Sequence, residues 1–474
     1  MTNSKWFIYF VRYLYHRIPL PIRVKWRIRE IVSQFLKVFL SSIHGRSFWD
    51  VLRQLYVAVR RRPVWSASDD LSLVQLVQDL SVHCAIYGPV GHVIALPLLS
   101  TGGAELVALN FAQAIREIEP DRSVVILVAD QNVVNNRIEL PSGVKLVVLD
   151  RYLGGDLGYH RKRALMKNLL LALRPNVFHN INSEVAWRLI LDEGGRIRNF
   201  TKIFASIFAF QFDPGGKKIG YAAYFLQPGL PYLSGLLSDN RRFLNDAIRE
   251  YALDEASQRK LRVVYNPCRI LDETTISRSR AFIRTLAARS PGRRLRVLWA
   301  GRLDAEKRVD LLLEIIRHCS FADFVVFGHC VVDEEKTLPV LPNLIYRGPF
   351  SNPRELITDS DFDGFIFTSR WEGMPNIILE VGALGIPVIA PMVGGVGELI
   401  YENTGYPLPE RPDVADYESA LRQIAANPED AARRAEALLN LIETRHAWNV
   451  FVKSVKEIPL YFSTVDGSRE EALG

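Results

Sequence analysis

Glu372 and Glu380 stand with seven residues between them in the stretch Thr368 to Ile400, and two cations, Arg302 and Lys307, stand five apart further up the chain. A carboxylate accepts hydrogen bonds from hydroxyls, while cations and the free amides of a helix N-terminus attract phosphate. A ligand that is anionic in one part and rich in hydroxyls in another satisfies both sets: a nucleotide sugar. Taken singly, each group is ordinary. Glu372 could be a cap, Glu380 a solvated helix residue, and Arg302 and Lys307 a pair of surface cations. What is hard to obtain by accident is Glu372-Gly-Met-Pro-Asn, Glu380, Gly385-Ile-Pro and Gly394-Gly395-Val-Gly-Glu398 within one short frame.

The elements that must hold these residues can be read from the apolar pattern. Ile377, Ile378, Val381 and Leu384 recur at helical spacing, so Asn376 to Leu384 is expected as a helix with Pro375 suited to its first turn. Asp363 to Arg370 upstream and Ile386 to Pro391 downstream are short apolar runs of the buried-strand type. Leu295-RVLWA ends at Gly301-Arg302, and a helix starts near Lys307. His92-VIALPLL leads into Ser100-TGGAELVALNFAQAI, a strand, a glycine turn and a helix. Gly102 and Gly103 would let backbone approach a phosphate or sugar. Alternation of this kind builds parallel α/β sheets, whose ligands sit beyond the carboxyl ends of the strands. One cleft should therefore collect the glutamates, the cations and the glycine turns.

The stretch around Glu372 and Glu380 resembles the nucleotide-sugar site of the retaining GT-B glycosyltransferases that carry the Glu-x7-Glu motif (group 1, family 4 type), and the similarity runs from about Gly91 to Phe462. The resemblance implies an α/β fold with two facing Rossmann-like domains and a cleft between them. It implies a nucleotide-diphosphate sugar as donor, transfer to an acceptor hydroxyl with retention, no cofactor and no obligatory metal. Arg302 and Lys307 match the family's diphosphate-binding cations, Glu372 the residue beside the donor sugar, and Glu380 the ribose-binding glutamate. Gly102, Gly103, Ala104 and Glu105 match its Gly-Gly-Ala-Glu turn. The amides from Gly373 through Met374, Pro375 and Asn376 to Ile377 are expected around the phosphates and sugar. Asn266 stands at the family's asparagine near the crossover. His179 matches the first of two family histidines near the donor sugar, but Ile181 replaces the second. On this basis residues 81–265 form the N-terminal (acceptor) domain, 266–446 the donor domain, and 447–474 a crossover helix returning to the first domain, with a tail.

The chain has 474 residues and a net charge of +7, unevenly spread. Through Pro63 it carries thirteen cations against two acids, so this leader holds +11 and the remainder −4. Ile28, Ile31, Val32, Phe35, Leu36, Phe39 and Leu40 make a helical stripe, and Phe48, Leu52, Leu55, Tyr56 and Val59 a second. Neither reaches the roughly 20 apolar residues of a spanning helix, so the expectation is an amphipathic helical extension that lies on an anionic membrane surface. Trp65 to Leu80 reads as linker, giving an extension over residues 1–80. Packing of these helices on the body is the alternative, and no motif supports nucleic-acid binding. The four scattered cysteines indicate a reducing compartment, and the body is placed in the cytoplasm on the inner face of the membrane. A lipid-linked or membrane-proximal glycan acceptor follows as an expectation. The irregular stretch Phe208 to Gly235 is assigned to acceptor contact. A nucleotide-sugar epimerase and a non-catalytic scaffold are the rival functions on the same fold.

Overall fold

The computed structural model describes residues 67–100, 102–135, 137–153, 158–213, 215–328, 338–350, 352–357 and 362–462. The leader through Pro63, the tail from Ser463, Cys330 and the pair Asp359 and Asp361 lie outside the described residues. Eleven helices of eight residues or more are described: α1 Ala67–Tyr87, α2 Gly103–Ile118, α3 Tyr159–Leu173, α4 Glu184–Ile197, α5 Arg241–Tyr251, α6 Glu273–Ala287, α7 Val309–His318, α8 Asn376–Ala383, α9 Val414–Ala426, α10 Pro428–Arg445 and α11 Trp448–Lys456.

The strands alternate with them. In the first half these are β1 Val90–Leu96, β2 Ser123–Val128, β3 Val144–Val148, β4 Val177–Ile181, β5 Lys202–Ser206, the hairpin β6 Gln211–Phe212 and β7 Lys218–Ile219, then β8 Gly235–Ser238 and β9 Leu261–Val263. In the second half they are β10 Leu295–Ala300, β11 Ala322–Phe327, β12 Leu344–Gly348, β13 Gly364–Ile366, β14 Val388–Pro391 and β15 Tyr406–Leu408. The first sheet has the order β3-β2-β1-β4-β5-β8-β9 and the second β12-β11-β10-β13-β14-β15. Every pairing within them is parallel.

Helices on both faces explain why the strands read as unbroken apolar runs: all of β1 and β2 is buried. In each sheet the strand order reverses beside the first strand, at β1/β4 and at β10/β13, which opens a crevice at the carboxyl ends there. Two Rossmann-like halves result, as expected. The chain leaves the first sheet after Val263, and α10 is followed by α11, which packs back on α2 of the first half.

Beyond α11 the chain enters the core of the first half. Tyr461 is fully buried with Phe111, Phe204 and Phe451 around it. Its hydroxyl lies 2.8 Å from His179 Nδ1, and its carbonyl 2.9 Å from His92 Nε2. His179 Nε2 is 2.8 Å from the Ser206 hydroxyl, so both ring nitrogens are satisfied inside the core. Burial pushes its imidazole down to about 3. His179 therefore does not reach the cleft, which corrects its expected place beside the donor.

Two other stretches differ from expectation. Residues expected as linker up to Leu80 belong to α1, because Leu76 and Leu80 bury one face. Tyr152 donates to Asp79 at 2.9 Å and ties α1 to the half. The stretch Phe208 to Gly235 is more regular than its composition suggests. It holds the β6–β7 hairpin and a wide helical turn at Ala222–Leu226, anchored by Phe225 stacked on Trp187 at 5.7 Å.

Replacing Tyr461 by Phe removes one partner of a buried histidine. We expect Tyr461→Phe to lower unfolding free energy by about 1–3 kcal/mol in urea titration, with the secondary structure retained.

Candidate active site between the two halves

The second-half residues come together because the turns after β10 and β13, neighbouring strands of one sheet, are bonded to each other. Trp299 on β10 donates its indole N–H to the Thr368 hydroxyl beyond β13 at 3.0 Å, and that hydroxyl in turn donates to the Lys307 carbonyl. Arg370 N–H reaches the Glu306 carbonyl at 2.9 Å. The turns carrying Arg302, Lys307 and Glu372 are thus bonded into a single unit. Lys307 pairs with Glu372, and both side chains are mostly buried. Arg302 is half exposed and pairs with Glu306 and, at 3.4 Å, with Asp304.

Glu372 leads into α8, whose N-cap is Pro375 rather than a residue of the first turn. Glu380 follows one face of α8 and is only partly open to water. Loss of hydration pushes its carboxyl up to about 8. Cys268, from the crossover, lies against the same helix, with its thiol 3.5 Å from the Leu379 carbonyl. Burial pushes that thiol up to about 12, and the charge of Glu380 adds to the rise.

From the first half, the Gly102-Gly103 turn arrives at the same place. A Cβ on Gly103 would stand 3.9 Å from Asn376 Nδ2. Glu105, nearly buried in the first turn of α2, is pushed up by burial while the Arg302 guanidinium pulls it back. The two glycine-rich and cationic turns therefore face each other. The hairpin contributes as well: Phe212 lies 6.4 Å from Trp371, both half-buried, next to Glu372.

The loop from Gly373 to Ile377 is only partly free for a ligand. The side chain of Met374 is buried in the second core, and Pro375 has no N–H to give. This corrects the expectation that every position from Gly373 to Ile377 lines the phosphates. Gly373, Asn376 and Ile377 remain at the cleft, and Asn376 Oδ1 lies 3.4 Å from Asn266 Nδ2.

Two residues not anticipated, Asp239 and Asn240, stand at the seam with Glu398. Asp239 and Asn240 follow β8, and Glu398 ends the Gly394-Gly395-Val-Gly turn. Glu398 Oε1 accepts the amides of Arg241 and Arg242 at 2.7 and 2.9 Å, at the start of α5, and its Oε2 accepts the Tyr265 hydroxyl at 2.6 Å. The readable signal was there: Ser238-Asp239-Asn240 is an abrupt polar triplet at the end of an apolar run, and a strand end of this fold is where such side chains meet ligands.

Three comparisons bear on the site. Residues 294–443, which contain Arg302, Lys307, Glu372 and Glu380, match the family model "Glycosyl transferases group 1". An "Uncharacterized 41.2 kDa protein in cps region" of Klebsiella pneumoniae is 24% identical over 203 residues, 42% of this chain and 50% of that protein. "Vi polysaccharide biosynthesis protein VipC/TviE" of Salmonella typhi is 35% identical over 82 residues, 17% of this chain and 12% of that protein. The chain thus spans half or less of the length of these curated relatives. Among solved structures, Anabaena Alr3699/HepE in complex with UDP and glucose superposes with a TM-score of 0.58 over 78% of this chain and 98% of its own, at 14% identity. That likeness shows the GT-B fold.

Glu380 supplies a direct test of the site. Its carboxyl titrates higher when folded than when unfolded, so between about pH 4.5 and 8 the folded state binds the extra proton and loses stability as pH rises. Glu380→Gln should therefore stabilise the ligand-free protein, by an amount that grows across that window to at most roughly 5 kcal/mol and then levels, as read by urea titration at several pH values.

Proposed function

We propose that the protein is a retaining glycosyltransferase that moves a sugar from a nucleotide-diphosphate donor to the hydroxyl of a glycan or lipid-linked acceptor in polysaccharide synthesis. The observation that carries the reading is the approach of the unit of Arg302, Lys307 and Glu372, followed by α8 with its Glu380, to the Gly102-Gly103 turn and its Glu105 beyond the carboxyl ends of two Rossmann-like sheets. The group 1 match over the second half, the polysaccharide biosynthesis name of the Salmonella typhi relative and the UDP held by the Anabaena neighbour support it.

In this reading Arg302 and Lys307 exchange their present carboxylate partners for the donor diphosphate. They then stabilise the charge that develops as the sugar–phosphate bond breaks. Glu372, released from Lys307, faces the donor sugar, and Glu380 accepts ribose hydroxyls. The amides of Gly373, Asn376 and Ile377 and the Gly102-Gly103 backbone surround phosphate and sugar. The leaving phosphate takes the acceptor proton on the face from which it departs, which keeps the anomeric configuration. Because two cations already neutralise the diphosphate, the reaction is assigned no metal and no cofactor beyond the donor itself. The acceptor approaches from the first half, past Phe212 and Trp371.

The leader through Pro63 is proposed to hold the enzyme on the inner face of the cytoplasmic membrane. No helix among the described residues is long and apolar enough to cross a membrane. Near an anionic leaflet each engaged cation contributes about 1 kcal/mol, so four or five suffice for reversible binding.

Two measurements test the reading. A thermal-shift panel with UDP, GDP, dTDP and ADP should show one nucleotide stabilising the protein by about 2.7 kcal/mol at a hundred times its dissociation constant. Arg302→Ala or Lys307→Ala should weaken that nucleotide tenfold or more, since a charge-assisted hydrogen bond contributes about 1.5–3 kcal/mol. A panel without any response removes the donor reading. Separately, protein lacking residues 1–63 should stay in the supernatant of anionic vesicles that sediment the full chain; equal sedimentation removes the membrane assignment.

A further inference from the structure

The chain passes between the halves after Val263 and again before α11, and the two crossings lie side by side. Cys268 N–H donates to the His446 carbonyl at 2.8 Å, and His446 Nδ1 lies 2.6 Å from the Asn266 carbonyl oxygen. Two connections bonded together act as one hinge. They fix where the halves join and leave the angle between them to be set elsewhere.

Next to this hinge stands Glu398, half-buried at the end of the Gly394–Glu398 turn of the second half. Its Oε2 accepts the Tyr265 hydroxyl on the first crossing at 2.6 Å, and its Oε1 accepts the amides of Arg241 and Arg242 in the first half at 2.7 and 2.9 Å. Those amides open the eleven-residue helix α5, whose own cap Asn240 serves the Phe243 amide at 2.7 Å. One helix start is thus capped from both halves. A carboxylate is favoured there by the helix dipole, and its bonds to amides are of the charge-assisted, stronger kind. The neighbouring Arg242–Glu410 pair at 2.8 Å is exposed and contributes little.

The turn that ends in Glu398 is firmly seated and reaches the site. Val396, Leu399 and Ile400 are fully buried in the second core. At the other end Gly395 donates to the Gly373 carbonyl at 2.9 Å, and a Cβ on Gly394 would fall 1.9 Å from the Glu372 carbonyl oxygen. A Cβ on Gly395 would stand 2.7 Å from Asn240 Cβ. The cap of α5 is therefore pressed onto the turn that backs the Glu372 loop.

We propose that Glu398 is a positioning residue: by holding the start of α5, it sets the angle between the halves at which the Gly102-Gly103 turn stands opposite Lys307 and Glu372. The inference rests on the donor reading above for what the cleft receives, but the latch itself does not. Arg302, Lys307 and Glu380 all belong to the second half, whereas the donor sugar lies between the halves. Loss of Glu398 should leave the nucleotide end of the site intact and open the sugar end.

Hydrogen exchange on the full ligand-free chain tests the latch. The telling amide is Gly395 N–H, whose bond lies wholly within the second half and does not involve Glu398. In Glu398→Ala, exchange at Arg241, Arg242 and Gly395 should quicken together, about tenfold, while β1 and β10 stay protected. Glu398→Gln keeps an oxygen for the α5 amides and a donor for the Tyr265 oxygen, so it should bring all three back to within about threefold of the wild type. Faster exchange at Arg241 and Arg242 with Gly395 unchanged overturns the proposal, because the carboxylate then holds a helix end and nothing more. If Glu398→Ala does not fold, the wild type decides. One opening event releases all three amides, so their protection, corrected for intrinsic exchange, should agree within about threefold, and a spread of about tenfold or more overturns the proposal. Titration with UDP, GDP, dTDP and ADP forms a separate arm. Whichever of them the wild type binds, folded Glu398→Ala should bind within about threefold as tightly, and a loss of about tenfold or more overturns a role in position alone. A wild type that binds none of the four removes the donor reading, while the exchange results still decide the latch.

Discussion

Where the halves meet, side chains of the first lie directly against main chain of the second, and the rest of the site depends on that approach. Gly394 adopts φ +51°, and a Cβ there would fall 1.9 Å from the Glu372 carbonyl oxygen. Gly395 donates its amide to the Gly373 carbonyl at 2.9 Å, while Asn240 leaves no room for a side chain on it. Gly373 in turn is pressed between Phe208 and Asp239. Two backbone turns of the second half are bonded to each other and pressed against side chains of the first with only glycine at the contacts, which brings the loop that carries Glu372 up to the seam.

The electrostatics of this cleft are not those of a group of side chains chosen for stability. Glu105, Asp239 and Glu380 are all held above the usual carboxylate range by burial, and such groups collect where a ligand supplies what the fold withholds. The cations are already paired, but unequally. The half-exposed pairing of Arg302 is of the kind that contributes about 0–1 kcal/mol, whereas the mostly buried Lys307–Glu372 pair is costlier to break. An incoming diphosphate therefore recruits Arg302 readily and must compete for Lys307. Glu372 is freed only by a ligand that succeeds.

What could be read from the chain depended on the range of the cause. α8, β13 and β14 follow from local apolar spacing, and so does the alternation that makes both sheets parallel. Arg302 and Lys307 were legible because a turn five residues long fixes their neighbourhood. His179 was not, since its partners Tyr461 and Ser206 are distant in sequence and only packing shows that both nitrogens are used. Asp239 and Asn240 escaped for a related reason: their partners Phe208 and Asn266 lie some thirty residues away and meet them only in the fold, while the part of Glu398 goes to backbone amides across the seam, and an amide has no letter in a sequence. α1 was misread because acidic residues at a helix start look like linker until the leucines behind them find a core.

The last described residues have a meaning for how the chain comes into being. Phe451, Val455, Ile458 and Tyr461 belong to the same apolar core as Ile94, Phe111 and Val124. The half made first is therefore completed by residues made only after the second half. While the second half is being made, the first must wait with an open slot beside His92 and His179, each of which lacks one native partner until Tyr461 arrives. Folding of such a chain cannot proceed strictly half by half from the N-terminus. The order of synthesis and the order of completion are reversed, and the interval between them is a time when this protein depends on not meeting another copy of itself.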